Sequence, residues 1–246
     1  LKSSIFLYII SIISIGINNE LLTSIYKLKI YFIKFKFDNI YIIIIINMKI
    51  NLYCIRHGEA LHNVLYEQFG SKIFVTDKCI DTKLTDKGNN QSIELGNNWL
   101  EKKTIDLVIV SPLTRTLETA NNIFKDTNIP IIALDCLKEY PQGLHTCNKR
   151  INKKNLQNTF QNINFDLLDS EEDEMWSSFK METIDELLNR INKMYDFIER
   201  KNIKQVALVG HNSFISMLKD QKFNLKDNND EELRHCFPYK MELNFN

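Results

Sequence analysis

The sequence predicts an α/β fold: a three-layer sandwich with a mostly parallel central sheet, helices on both faces and a lid insertion. Two observations carry this expectation. Short runs rich in aliphatic residues recur at 50–55, 107–110, 131–133 and 206–209, and helical patterns follow three of them. Two of the runs, LVIV and VALV, are continuously apolar rather than alternating, as strands buried on both faces are. With 246 residues and 44% hydrophobic composition, the chain can bury one sizeable core.

Residues 1–47 are dominated by Ile, Tyr, Phe, Lys and Asn and carry a net charge of +3, which leaves −3 for the remainder of a neutral chain. Met48 stands just before the first strand, so 1–47 is expected to be a low-complexity leader outside the folded domain, and 48–246 the domain itself. A second reading treats the apolar run 5–17 after Lys2 as a signal or anchor. It has the length of a signal-peptide core, is short for a membrane span, and is followed by Asn18, Asn19 and Glu20 rather than a small-residue cleavage site. The mildly acidic body lacks the basic stripe of a nucleic-acid binder. Attraction for an anion must then come from a few local cations. Five cysteines without a C-x-x-C pair point to reduced thiols and a cytoplasmic setting, and His145-x-Cys147 and His235-Cys236 lack metal-ligand spacing.

The first strand runs into Arg56, His57 and Gly58, and a helix is expected from about Leu61. In open α/β sheets the carboxyl ends of strands hold ligands, and a glycine there lets backbone approach a small anion. Glu59 and His62 read as helix-start residues. The polar stretch 68–83 reads as a loop, and Thr85 as the N-cap of the next helix. After LVIV, Ser111-Pro112 breaks the strand and a helix begins near Leu113, with Arg115 in the first turn, where free amides already favour anions. The short strand 131–133 leads to Glu139 before a Pro-Gln-Gly turn. The region 140–180, polar and then acidic, is expected to be a lid over the sheet rather than a core layer. Thr183-x-x-Glu186 is a capping box opening an apolar stripe of Ile184, Leu187, Leu188, Ile191, Met194 and Ile198. VALV then ends at His211, before another helix, and 239–245 is a possible edge strand. Neither GxGxxG nor a P-loop occurs.

The ordered set RHGEALHN, SPLTRTLETA, LKEYPQG and VALVGHN, over roughly 48–219, resembles the histidine phosphatase superfamily, with its phosphoglycerate mutase-like fold. The segments RHGEALHN and EYPQGLHTCNKR, with acidic residues before Trp176, are most similar to the phosphatase-like branch of plants and fungi. The resemblance implies that His57 is the nucleophile that becomes a phosphohistidine. It implies that Arg56, Arg115, His211 and Asn63 hold the transferred phosphoryl group, that His211 is a catalytic partner, and that Glu139 donates a proton to the leaving group. Lys149 and Arg150 are candidates for holding a second anionic group from the lid. Asn212 stands where many relatives carry glycine, and is expected to crowd the pocket or add a donor.

The chemistry is consistent on its own. A neutral imidazole is a good in-line nucleophile toward phosphorus, arginines match phosphoryl oxygens with a planar fork, and an alkoxide leaving group needs a carboxylic acid opposite the nucleophile. No cofactor or metal ion is expected. The expected partner is a small phosphorylated substrate, with no nucleic acid and no membrane unless 1–17 is an anchor. Mutase-type phosphoryl transfer, and a catalytically inactive module that binds phosphorylated ligands, are the alternatives.

Overall fold

The computed structural model describes residues 32–37, 40–45, 48–222 and 233–245. The chain divides into two compact units: residues 1–48 with 244–246, and residues 49–243. In the first, strands β1 (Phe32–Phe37) and β2 (Ile40–Ile45) pair antiparallel, with Phe37 opposite Ile40. The possible signal or anchor at 1–17 lies outside the described residues.

The larger unit is organised by a six-stranded sheet. Its strands are β3 (Met48–Arg56), β4 (Leu107–Val110), β5 (Ile131–Ala133), β6 (Ile163–Asn164), β7 (Gln205–Gly210) and β8 (Pro238–Phe245), in the spatial order β6-β5-β4-β7-β3-β8. The pairs β3–β7, β4–β7, β4–β5 and β5–β6 are all parallel. Helices α1 (Leu61–Phe69), α2 (Asp86–Asn98), α3 (Thr114–Phe124), α4 (Lys153–Thr159), α5 (Ile184–Lys201) and α6 (Asn212–Lys222) complete the unit. Tyr53, Ile55, Val108, Val110, Ala207 and Val209 share one core with Trp99, Leu117, Ile123, Phe124, Leu156 and Phe160. The opposite faces of the same strands, at Leu52, Cys54, Ile109 and Leu208, are equally sealed. Sheet residues closed to water on both sides require a layer on each. Leu187, Ile191, Met194 and Ile198 of α5, and Phe214, Ile215 and Leu218 of α6, are buried outside the first cluster and supply the second layer. Among the described residues no helix is long and apolar enough to cross a membrane.

Local chemistry sets the helix ends. The hydroxyl of Thr85 accepts from Gly88 N–H at 3.1 Å, and Thr183 and Glu186 form the reciprocal cap that their spacing predicts. Two expectations are corrected. The stretch 68–83 is not an open loop: the last turn of α1 and two 3-10 turns, Gly70–Val75 and Asp77–Cys79, occupy most of it. The region 140–180 contributes to the core layer. Its sparse apolar residues Leu156, Phe160, Ile163, Phe165 and Leu168 enter the main core, and Ile163 pairs with Ile131 as an edge strand. The flanking Asn and Lys residues hide this because a two-residue strand and a seven-residue helix show too little periodicity. Within the apolar stripe of α5, Ile184 is exposed, at the first helical position.

The turn after β3 passes very close to α2. A Cβ on Gly58 would collide with the carbonyl of Gly88, and one on Gly88 with the carbonyl of Glu59. Glu59 also receives Thr85 N–H through its carbonyl (2.9 Å) and pairs with Lys87 (2.7 Å), so two residues shortly before Gly88 fasten this contact. Gly88→Ala is therefore expected to cost about 1–3 kcal/mol of stability, the penalty of overpacking a site that cannot move apart. An unchanged urea unfolding midpoint would contradict the close packing.

Candidate active site

Parallel register decides which side chains meet. Ile55, Val209 and Val110 lie side by side across β3, β7 and β4. The residues leaving these strands, His57, His211 and Ser111, therefore emerge together at the carboxyl edge. The ladder continues past the strands: His57 N–H donates to Gly210 O (2.9 Å) and Ser111 N–H to Val209 O (3.1 Å). The rings of His57 and His211, distant in sequence, end with centroids 5.3 Å apart.

His57 Nδ1 lies 2.7 Å from the carbonyl oxygen of Gly58. A carbonyl only accepts, so Nδ1 carries the proton and Nε2 holds the lone pair. Burial, and then the charge of Arg115, hold the His57 pKa well below the ordinary histidine range. The same two causes, in the same order, lower His211 and His62. His211 places Nε2 2.8 Å from Ser111 Oγ, while its buried Nδ1 has no hydrogen-bond partner.

Arg115 is fully buried in the first turn of α3. It donates from Nη1 to Cys147 O (2.6 Å) and from Nη2 to Asn148 Oδ1 (3.3 Å), and its Nε has no partner. The start of α3 is capped from another loop: Asp81 accepts from Thr114 N–H (2.7 Å), Thr114 Oγ1 (2.8 Å) and Ile151 N–H (3.1 Å). Arg56, the last residue of β3, donates from Nη1 to Leu233 O at 2.7 Å, and its charge also disfavours protonation of His57.

Glu139 approaches from the loop after β5. Its carboxylate accepts from Tyr140 N–H (2.8 Å) and Phe214 N–H (3.0 Å), with Ser213 N–H at 3.4 Å, so it closes the N-terminus of α6 directly after His211. Burial raises its pKa above the usual carboxylate value, while Tyr140 N–H, Arg115 and the α6 amides act in the opposite direction. A carboxyl whose protonation is favoured by burial is suited to exchanging a proton with a ligand. The loop carrying it is anchored by Arg190, which donates to Cys136 O (2.9 Å) and Lys138 O (2.8 Å) and pairs with Glu182 (2.6 Å). Gly143, at φ +88° with Lys180 O standing where a Cβ would be, ends the same loop in a conformation only glycine takes readily.

Other expectations resolve unevenly. The side-chain oxygen of Asn63 accepts from Ala60 N–H at 3.0 Å, which leaves its amide NH2 as the donor that an anion could use. Arg150 does not hold a ligand: its guanidinium is consumed by Asp135 Oδ1 (3.2 Å) and the carbonyls of Ile151, Ser170, Glu171 and Glu172. Lys149 stands over the Trp176 ring, 4.8 Å from its centroid. Glu59 is occupied by Thr85 and Lys87, consistent with a helix-start role. His62 does begin α1, but its buried ring also lies 5.6 Å from that of His57, with Nδ1 2.9 Å from Thr82 Oγ1. His235 was not anticipated, because it follows a polar stretch without any pattern; its ring too is 5.6 Å from that of His57. Asn212 turns its side-chain oxygen toward Leu233 N–H (3.1 Å) rather than crowding the pocket. The five cysteines are unpaired, and among the described residues no group of three or more His, Cys, Asp or Glu is arranged to hold a metal ion.

Comparison with known proteins matches residues 52–238 to the histidine phosphatase superfamily (branch 1). A phosphoglycerate mutase-like protein 1 of Arabidopsis thaliana is 30% identical over 196 residues, which is 67% of this chain and 68% of that protein. Among solved structures, a phosphoglycerate mutase from Bacillus anthracis superposes with a TM-score of 0.54 at 17% identity, covering 80% of this chain and 89% of that one. The ecdysone phosphate phosphatase of Bombix mori gives 0.50 at 17% identity, covering 77% and 87%. The two structural likenesses concern the fold.

The neutral histidines have a measurable consequence. Their folded pKa values lie below the unfolded value near 6.5, so the unfolded chain takes up more protons as pH falls, and stability is lost in that direction. Buried carboxyls such as Glu139 and Asp81, with raised values, act in the opposite sense. Comparing wild type with His62→Gln cancels them. Below pH 6.5 the variant should lose stability less steeply than wild type, by about 1.4 kcal/mol per pH unit. Parallel slopes in urea unfolding from pH 7.5 to 5.5 would show that His62 is not held neutral.

Proposed function

The chain belongs to the histidine phosphatase superfamily (branch 1), and from that premise we propose that it hydrolyses small phosphomonoesters through a phosphohistidine on His57. The observation that carries this reading is the His57 ring: Nδ1 donates to Gly58 O, which aims an unprotonated Nε2 lone pair into a site with Arg115 and His211. Nε2 attacks phosphorus in line while the ester P–O bond breaks, and Glu139 passes its proton to the departing oxygen. Arg56, Arg115 and His211 hold the phosphoryl oxygens through the transition state, with the Asn63 amide as a further donor. Water then attacks the phosphohistidine, Glu139 takes up its proton, phosphate leaves and His57 returns to its neutral form. Fixed guanidinium charges supply what a metal ion would otherwise supply.

Hydrolysis is preferred to mutase-type transfer on one specific ground. A mutase must retain a doubly phosphorylated intermediate, and of the two lid cations the sequence offers, Arg150 is committed to lid carbonyls and Asp135 while Lys149 stands over the Trp176 ring.

The test is phosphate release from p-nitrophenyl phosphate and from an alkyl phosphate such as glycerol phosphate. His57→Ala should release none and should lose acid-labile labelling by a radioactive phosphate donor. Labelling of another residue, or net transfer without release, would overturn the proposal. Arg115→Ala should cost about 10²–10³-fold in kcat, by analogy with removal of an oxyanion-hole donor. In kcat/KM, which reports phosphorylation and not the shared hydrolysis of the phosphohistidine, Glu139→Gln should impair the alkyl ester far more than the nitrophenyl ester, whose leaving group departs without a proton. Equal losses of kcat/KM on both substrates would remove Glu139 from the acid role.

A further inference from the structure

The segment Leu233–Cys236 is bound to the site by four hydrogen bonds. Leu233 O accepts from Arg56 Nη1 (2.7 Å), Leu233 N–H donates to Asn212 Oδ1 (3.1 Å), Cys236 N–H donates to Arg56 O (2.9 Å), and His235 Nδ1 reaches His57 O at 2.5 Å. His235 also bridges to Arg56 in parallel register, beside β3. Cys236 adopts a left-handed backbone at φ 50°, which a non-glycine residue holds only when its surroundings fix it.

We propose that His235 is a positioning residue for the nucleophile, acting through the backbone carbonyl of His57, and that Leu233–Cys236 is a clasp completing the site. This rests on His57 being the nucleophile. Because a carbonyl only accepts, His235 carries its proton on Nδ1. Both backbone polar groups of His57 are then fixed, the N–H on Gly210 O and the carbonyl on His235, while Nδ1 is held by Gly58 O. Three anchors determine where Nε2 points. In-line attack tolerates only small errors of position, so losing one anchor should slow the chemical step more than it weakens binding. Asn212 joins the same clasp, which accounts for an asparagine directly after the second site histidine: its oxygen serves Leu233 rather than the ligand.

The test compares His235→Leu, which lacks the donor, with His235→Asn, whose side-chain NH2 can occupy the place of Nδ1. His235 and Cys236 border a cavity of about 250 Å3 against α2, so either side chain can be accommodated. On p-nitrophenyl phosphate, His235→Leu should lower kcat by about 10–100-fold with KM changed less than about threefold, while His235→Asn stays within about threefold of wild type in kcat. Unaltered kcat in His235→Leu, or an Asn variant no better than the Leu variant, would overturn the proposal. Imidazole 15N NMR of His57 separates this from failure of the catalytic reading, since it needs no turnover. The Leu variant should shift the His57 Nδ1 and Nε2 signals and the Asn variant should restore them; unshifted signals in the Leu variant would also sink the clasp.

Discussion

A buried guanidinium whose hydrogen bonds go to uncharged oxygens governs this molecule. Arg115 is nearly inaccessible, yet its bonds run to a carbonyl and an amide oxygen rather than to a carboxylate. A charge so placed is costly unless something anionic joins it. The same charge disfavours protonation of His57, His62 and His211, favours ionised Glu139 against its burial, and leaves a donor, Nε, without a partner. A phosphoryl group would relieve that imbalance. Beside burial, one positive charge thus bears on both the neutral imidazoles and the place left for an anion, while burial alone works to keep Glu139 protonated.

Holding that charge and its neighbours in place uses a large share of the polar interior. Asp81 caps the helix that bears Arg115, Arg190 and Glu182 fix the loop that bears Glu139, and Lys138 is sealed against Asp173 at 2.5 Å. Arg150 collects four carbonyls of its own loop and the acidic run after Leu168, so that a segment with little apolar content is ordered by a cation instead of a core. Buried ion pairs of this kind contribute less to stability than to a single geometry. Here they fix the start of the helix that bears Arg115 and the loop that bears Glu139.

The strands and the motifs they carry were readable because burial on both sheet faces demands unbroken apolar runs, and because the residues at their ends are chemically conspicuous. Thr85 and the Thr183–Glu186 box were readable because a helix cap is a local interaction. The core role of Leu156, Phe160 and Ile163 was not, since elements of two and seven residues show no period to detect. Arg150 looked like a ligand holder because a sequence lists its charge and not its partners.

By itself, the sequence determined the parallel sheet, the four strand-end motifs and the family to which they belong, because each is encoded by side chains within a dozen positions of one another. Only the tertiary structure decided that Asp81 caps the helix bearing Arg115, that Arg190 anchors the loop bearing Glu139, that His235 Nδ1 meets the His57 carbonyl and Asn212 the Leu233 N–H, and that the His57 proton sits on Nδ1. Those facts arise from hydrogen bonds between segments far apart along the chain, and their partners become defined only when the sheet brings its carboxyl edge and the chain end together.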